Sequence, residues 1–255
     1  MSQIRLADLK PGWIAVPTGV TPRYLDFWEQ LMLLVKPGGT GYSRGTHPDN
    51  GVARNNATRE MMKHAHPEWI YYLDDDHTFS ATSLCEKVAL LQSRPDIDAL
   101  AGFYTKKYPP FKSVLFKSVP PGPLNRPTWG ELKTAMLRDG LMKVEGCGGG
   151  GLLVRRSVIN RLYELHPDGH LWENGPKRSY GPDIGFSIKI RDAGFSMWAD
   201  VKRPLGHTIT CTTTPEWDPK LKAWFIIFKF GTKTFKLPVS AFDATPEGTD
   251  DGHDH

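Results

Sequence analysis

The chain has 255 residues, 39% of them hydrophobic, and a formal net charge of +4 at pH 7. No stretch approaches the roughly 20 consecutive apolar residues of a membrane span, and no signal peptide is apparent. Three widely separated cysteines without a CxxC pair exclude a disulfide framework and a cysteine zinc site. We therefore expect one soluble, cytoplasmic domain with a single large core and no membrane partner.

Negative charge is concentrated at the C-terminus. Residues 243–255 carry five acidic side chains and no lysine or arginine, so removing them from the net +4 leaves a body of +9. A basic body suits an anionic ligand, either a nucleotide or a nucleic acid. The segment 243–255 has almost no apolar content, and we predict that it is a disordered acidic tail.

Strand-like and helix-like segments alternate through the first half of the chain, which is typical of an α/β fold with a mainly parallel sheet. The second half is less regular, and its Pro-rich connection at 108–127 receives no predicted secondary structure. The predicted strands are 13–16, 69–73, 99–104, 141–144 and 152–154. The predicted helices are 21–34, 52–63, 80–93, 157–165 and 184–193.

Three consecutive carboxylates, Asp74, Asp75 and Asp76, directly follow the predicted strand 69–73. Such a run persists most readily where a cation neutralises it, and ligands of open α/β sheets bind beyond the carboxyl ends of the strands. Oxygen ligands favour Mg²⁺ or Mn²⁺. Alternation along an extended chain would place Asp74 and Asp76 on one side. The other interpretation is a solvated loop in which Asp76 or Thr78 caps the next helix.

This region resembles the GT-A glycosyltransferases, in particular family 2-like enzymes and the stand-alone transferases of bacteriophages. Tyr-Tyr-Leu-Asp-Asp-Asp-His at 71–77 looks like their DxD motif. Further similar segments occur in family order between residues 13 and 207. They are Pro-Thr at 17–18, Ala-Arg-Asn-Asn at 53–56, Glu-Gly-Cys-Gly-Gly-Gly-Gly at 145–151, Tyr-Gly-Pro-Asp-Ile-Gly-Phe at 180–186, Ala-Gly-Phe at 193–195 and Gly-His at 206–207.

The resemblance implies a single GT-A, Rossmann-like domain over 1–242, with a nucleotide-sugar and metal half at about 13–105 and an acceptor half at about 106–242. It implies that Asp183, at a helix start, is the catalytic base, although Pro182 replaces the usual Glu. Mn²⁺ or Mg²⁺ would be held by Asp74, Asp76 and His207. The implied donor-binding residues are Pro17, Thr18, Arg54, Asn55, Asp74, Asp75, Gly149 and Gly150. Without the resemblance, Asp183 is a helix cap and Arg54 an ordinary helix charge.

The predicted activity is transfer of a sugar from a UDP- or GDP-linked donor to an acceptor hydroxyl. A hydroxymethylated base of phage DNA is one acceptor, suggested by the +9 body, and the location would then be the host cytoplasm. A protein or glycan acceptor stays open. A metal-dependent nucleotidyltransferase is an alternative, but no Gly-rich, Lys-bearing triphosphate loop lies near the first strand. A non-catalytic nucleic-acid-binding protein would leave Asp74 to Asp76 unexplained.

Overall fold

A computed structural model describes residues 5–19, 24–107, 111–118, 129–133, 137, 140–176, 179–230 and 232–238. Contacts group the described residues up to Thr208 into one compact unit and those from Ile209 onward into a second. The expectation of one domain over 1–242 does not anticipate this division. All the candidate site residues lie in the first unit, and the predicted tail at 243–255 lies outside the described residues.

The first unit alternates strands and helices along most of its length. Its helices are α1 (Leu25–Leu33), α2 (Asn50–Met62), α3 (Ser83–Ser93), α4 (Arg156–Leu165) and α5 (Pro182–Asp192). Its strands are β1 (Trp13–Thr18), β2 (Gly41–Thr46), β3 (Trp69–Tyr72), β4 (His77–Thr78), β5 (Ala99–Gly102), β6 (Leu115–Ser118), β7 (Trp129–Glu131), β8 (Leu141–Lys143), β9 (Gly146–Cys147), β10 (Leu152–Arg155), β11 (Met197–Asp200) and β12 (Gly206–His207).

Seven of these strands form the central sheet, in the order β2-β1-β3-β10-β5-β11-β8. β1 pairs in parallel with both β2 and β3, and β5 pairs in parallel with β11, whereas β10 and β8 run against their neighbours. The predicted mainly parallel α/β fold is therefore confirmed. β1, β3 and β5 are buried on both faces, which explains why they are apolar without alternation.

Helices cover both faces of the sheet. Side chains of α2, α4 and α5, such as Met61, Leu162 and Phe186, join one buried cluster. Those of α1 and α3, such as Phe27 and Val88, join the other. Within the described residues, no helix has both the length and the apolarity that a membrane crossing requires.

The sheet topology brings distant parts of the sequence to one edge. β10 is antiparallel to β3, with Leu152 opposite Tyr72, so the glycine run, the four glycines at 148–151, enters β10 where β3 ends and the acidic run begins. Just beyond that edge, β4 pairs with β12, which places His207 opposite His77. The carboxyl end of β3 therefore meets the glycine run, the acidic run and Gly206-His207.

Several boundaries differ from the sequence-based predictions. Helix α1 begins at Leu25 after Tyr24, whereas the predicted helix begins at residue 21, which lies outside the described residues. Helix α5 starts at Pro182, so Asp183 lies in its first turn. β2, β11 and the short strands β4, β6, β7, β9 and β12 were not predicted. Neither was the second unit, an antiparallel sheet of β13 (Thr212–Asp218), β14 (Ala223–Phe230) and β15 (Lys233–Pro238).

Candidate active site

Arg54 lies at the centre of the candidate site. Helix α2, which carries it, is capped by the Asp49 side chain and packs so closely on β2 that a Cβ at Gly45 would lie 2.0 Å from the Ala53 carbonyl oxygen. The Arg54 guanidinium donates to both oxygens of Asp74, at 2.7 and 2.8 Å, and to one oxygen of Asp183, at 3.1 Å. Arg54 is only 2% exposed, so this is a nearly buried three-residue charge cluster.

The charges in this cluster perturb one another. Burial opposes the charged form of Arg54, but Asp74 and Asp183 outweigh it and raise the pKa of the guanidinium. Burial also raises the pKa of Asp183, and Arg54 reverses this only in part. The Asp183 side chain nevertheless remains 34% exposed. Asp183 is thus a solvent-accessible carboxylate with a raised proton affinity, as a general base requires.

The acidic run does not continue β3 as an extended strand. The chain turns at once, with the His77 N–H donating to the Asp74 carbonyl at 3.2 Å. Strand alternation, from which Asp74 and Asp76 were expected to share one side, therefore ends at Tyr72. Asp74 faces Arg54, whereas Asp76 faces His207 and Lys107. Asp75 is fully buried.

Asp76, His77 and His207 form a candidate metal site, since one ligand atom from each lies within 4.8 Å of the others. The Nδ1 of His207 lies 2.8 Å from the Thr105 carbonyl oxygen, and the Nδ1 of His77 lies 3.0 Å from that of Gly206. A carbonyl only accepts, so each Nδ1 carries the proton and each Nε2 keeps a lone pair. His77 Nε2 is buried and has no hydrogen-bond partner among the described residues.

The protonation states also suit a cation. Burial lowers the pKa of His77, which favours its neutral, ligating form. Burial opposes ionisation of Asp76, but the groups around it, including the Lys107 ammonium, outweigh burial and hold its pKa well below the usual range. The cluster shares Asp76 and His207 with the ligand set that the resemblance implies, and its third member is His77 where that set has Asp74. One carboxylate and two imidazoles suit Mn²⁺ better than Mg²⁺.

The glycine run contacts both groups of charges. A Cβ at Gly149 would lie 2.7 Å from Arg54 Cζ and 2.8 Å from an Asp183 oxygen. A Cβ at Gly150 would lie 2.1 Å from His77 Nε2. These distances are too short for a real Cβ, so a side chain at either position would displace Arg54, Asp183 or His77.

Pro17, Thr18 and Asn55 are the remaining predicted donor-binding residues. Pro17 and Thr18 end β1 and are buried. Asn55 accepts a hydrogen bond from the Trp172 N–H at 2.9 Å and donates to the Trp172 carbonyl oxygen at 3.0 Å. Its amide therefore has a structural role, since it fixes Trp172, whose ring centroid lies 4.8 Å from Arg54 Cζ.

Four residues of the site are not among the predicted site residues. Trp172 is buried and stacks on Phe186, so it packs in the core, and its ring also lies against the Arg54 guanidinium. Tyr104 accepts from the Gly150 N–H at 3.1 Å through its hydroxyl. Lys107 contacts Asp76. His77 had a usable signal, because it directly follows the acidic run and could pair with a later histidine.

Comparison with known proteins adds a fold relationship. No protein-family model matches the chain, and no curated protein sequence matches it significantly. The solved structure of A197 from STIV aligns with a TM-score of 0.52 at 14% identity, covering 84% of this chain and 92% of that chain. A structure of GalNAc-T7 with UDP, GalNAc and Mn²⁺ aligns with a TM-score of 0.49 at 10% identity, covering 78% of this chain and 44% of that chain. At such identities the likeness is one of fold, and function has to follow from the site.

Proposed function

We propose that the protein is a metal-dependent GT-A glycosyltransferase that moves a sugar from a nucleoside-diphosphate sugar to an acceptor hydroxyl. The observation that carries the proposal is that the candidate metal site and Asp183 approach consecutive glycines. His77 lies against Gly150 and Asp183 against Gly149, and neighbouring Cα atoms are about 3.8 Å apart. One small substrate centre can therefore meet both groups.

Asp76, His77 and His207 would hold the cation. A divalent ion bound there supplies Lewis-acid stabilisation of the departing nucleoside diphosphate. Mn²⁺ fits this ligand set, and the sequence order of the motifs is that of nucleotide-sugar enzymes. The donor diphosphate would bind beside the glycine run, next to a cation that neutralises its charge.

Asp183 would accept the proton of the acceptor hydroxyl. Burial raises the pKa of its carboxyl group, which strengthens it as a base, while partial exposure leaves it open to an acceptor. The Arg54 guanidinium holds one oxygen of Asp183 in place and neutralises Asp74 beside it. Arg54 thus positions the base rather than reacting itself.

The direct test is release of nucleoside diphosphate from a panel of UDP-, GDP- and other nucleotide-sugars with Mn²⁺. We expect release from one donor, abolished by EDTA and by Asp76→Ala. Asp192→Ala removes a carboxylate that is 61% exposed and lies at the end of α5, so it should leave release unchanged. Absence of both turnover and metal-dependent donor binding would refute the proposal. Pyrophosphate release from a nucleoside triphosphate and a sugar phosphate would indicate a nucleotidyltransferase instead.

The acceptor is a separate part of the proposal. The +9 body supports a hydroxymethylated base in DNA, which would have to be extruded or single-stranded to reach Asp183. DNA binding should then weaken steeply as salt is added. If DNA does not bind, mass spectrometry of co-expressed proteins and glycans for an added hexose tests the other acceptor class.

A further inference from the structure

The Lys107 side chain contacts the carboxylate of the candidate metal site. Its Nζ lies 2.5 Å from one oxygen of Asp76, and Asp76 is 6% exposed whereas Lys107 is 25% exposed. The backbone before Lys107 is fixed. Thr105 forms a β-bridge with Ser113, and the Lys106 N–H donates to the Lys112 carbonyl at 2.8 Å. The backbone contacts of Thr105 and Lys106 therefore help to place the Lys107 ammonium beside Asp76.

The same carboxylate faces two kinds of partner. One oxygen of Asp76 contacts Lys107, and the other lies 3.6 Å from the His207 Nε2 that carries a lone pair. A divalent ion bound by Asp76 and His207 would stand within a few ångströms of the ammonium. A dication and an ammonium about 5 Å apart repel enough, even at the dielectric constant of water, to change a binding constant roughly tenfold.

We propose that Lys107 and a divalent cation compete for Asp76. Lys107 neutralises the carboxylate until a cation takes its place, and the displaced ammonium turns toward solvent. The diphosphate of the donor is then its natural partner, because phosphate oxygens accept strong charge-assisted hydrogen bonds. This inference rests on the proposed function, since it concerns how the same site is loaded.

Mn²⁺ binding without any donor tests the competition. Paramagnetic resonance or calorimetry would compare the unmodified chain with Lys107→Met and with Lys202→Met. Lys202 is exposed in the loop that leads to His207, so its variant controls for loss of one nearby positive charge. Lys107→Met should bind Mn²⁺ about tenfold more tightly, and Lys202→Met should stay within about twofold because solvent and salt screen its charge.

Unchanged Mn²⁺ binding by Lys107→Met would overturn the competition, and weaker binding would overturn it by showing that Lys107 positions Asp76 for the cation. Failure of all three proteins to bind Mn²⁺ would overturn it as well. Nucleotide-sugar turnover decides the proposed function separately. If turnover is observed while Lys107→Met and the unmodified chain bind Mn²⁺ equally well, the transferase proposal stands and the competition is wrong.

A second measurement needs no variant. Amine acylation followed by mass spectrometry reports how exposed each lysine ammonium is. Adding Mn²⁺ should increase the acylation of Lys107, because the ammonium leaves Asp76 for solvent, while Lys202 should react equally with and without the ion. Constant or decreased acylation of Lys107 at saturating Mn²⁺ would contradict the displacement.

Discussion

Replacing Arg54 with methionine should destabilise the first unit strongly. The methionine keeps an apolar stem of similar length over Trp172 but leaves Asp74 and Asp183 without their shared cation. Removing one partner of a buried ion pair costs about 3–5 kcal/mol. Asp74 and Asp183 are 21% and 34% exposed, so water can solvate them in part. We therefore expect about 3 kcal/mol at neutral pH, the lower end of that range.

The loss should depend on pH with a defined sign. Without Arg54, burial and the neighbouring Asp74 raise the pKa of Asp183 unopposed, further above its value in the unfolded chain. Groups raised in this way destabilise the protein when ionised and cease to do so when protonated. The Arg54→Met defect should therefore be full at pH 8 and smaller at pH 5. The double variant Arg54→Met with Asp74→Asn should recover part of it.

Urea unfolding followed by circular dichroism gives the free energies, with the midpoint shifting at constant slope. Arg59→Met is the matched control, because Arg59 lies exposed on the same helix and hydrogen-bonds to the Asn56 side chain there. Its cost should be within about 0.5 kcal/mol. A loss below about 1 kcal/mol for Arg54→Met, or an equal loss at pH 5 and pH 8, would refute the reasoning.

Three further predictions concern the glycine run, the base and a buried lysine. Gly150→Ala places a Cβ against His77 and should weaken Mn²⁺ binding about 10–100-fold by calorimetry, whereas Gly181→Ala, with open space around it, should not. Asp183→Asn should lower kcat about 10²–10⁴-fold with donor affinity retained, and equal losses in both would count against its role as base. Burial lowers the pKa of Lys87 to about 8 in the folded protein, whereas lysine in an unfolded chain has a pKa of about 10.4. The charge on Lys87 therefore opposes folding fully below about pH 8, and this penalty disappears as the pH rises to about 10.4. Stability relative to Lys87→Met should therefore rise by roughly 3 kcal/mol as pH increases across this range, and a flat difference in urea unfolding would exclude the effect.

Buried strands such as β1 and β3 could be predicted from the sequence because their own residues form apolar runs. β1 and β3 are largely apolar runs, and β3 ends where the acidic run turns. β2 was missed because Gly-Tyr-Ser-Arg-Gly-Thr is polar and contains two glycines. It is a strand because all six residues pair with β1, and only Ser43 and Gly45 are buried in it. Tertiary pairing determines β2, and no property of its own residues does.

The site shows the same division between local and distant information. Motif order located Arg54, the acidic run, Asp183 and His207, but could not show which carboxylate faces which partner. That choice depends on the turn after Tyr72, which directs Asp74 to Arg54 and Asp76 to His207. Arg54 and Asp183 are 129 residues apart, and their contact requires the glycine run to pass beside both.

The position of His207 depends on contacts that no motif encodes. In the loop between β11 and β12, Arg203 donates to Asp200 at 2.9 Å and to Glu86 of α3, so the loop is tied to the far side of the sheet. The imidazole is then oriented by the Thr105 carbonyl oxygen, two residues before Lys107. The segment of Thr105 to Lys107 therefore orients the candidate ligand His207 and also carries the competing ammonium of Lys107. A shift of this segment would alter the orientation of His207 and the contact of Lys107 with Asp76 together.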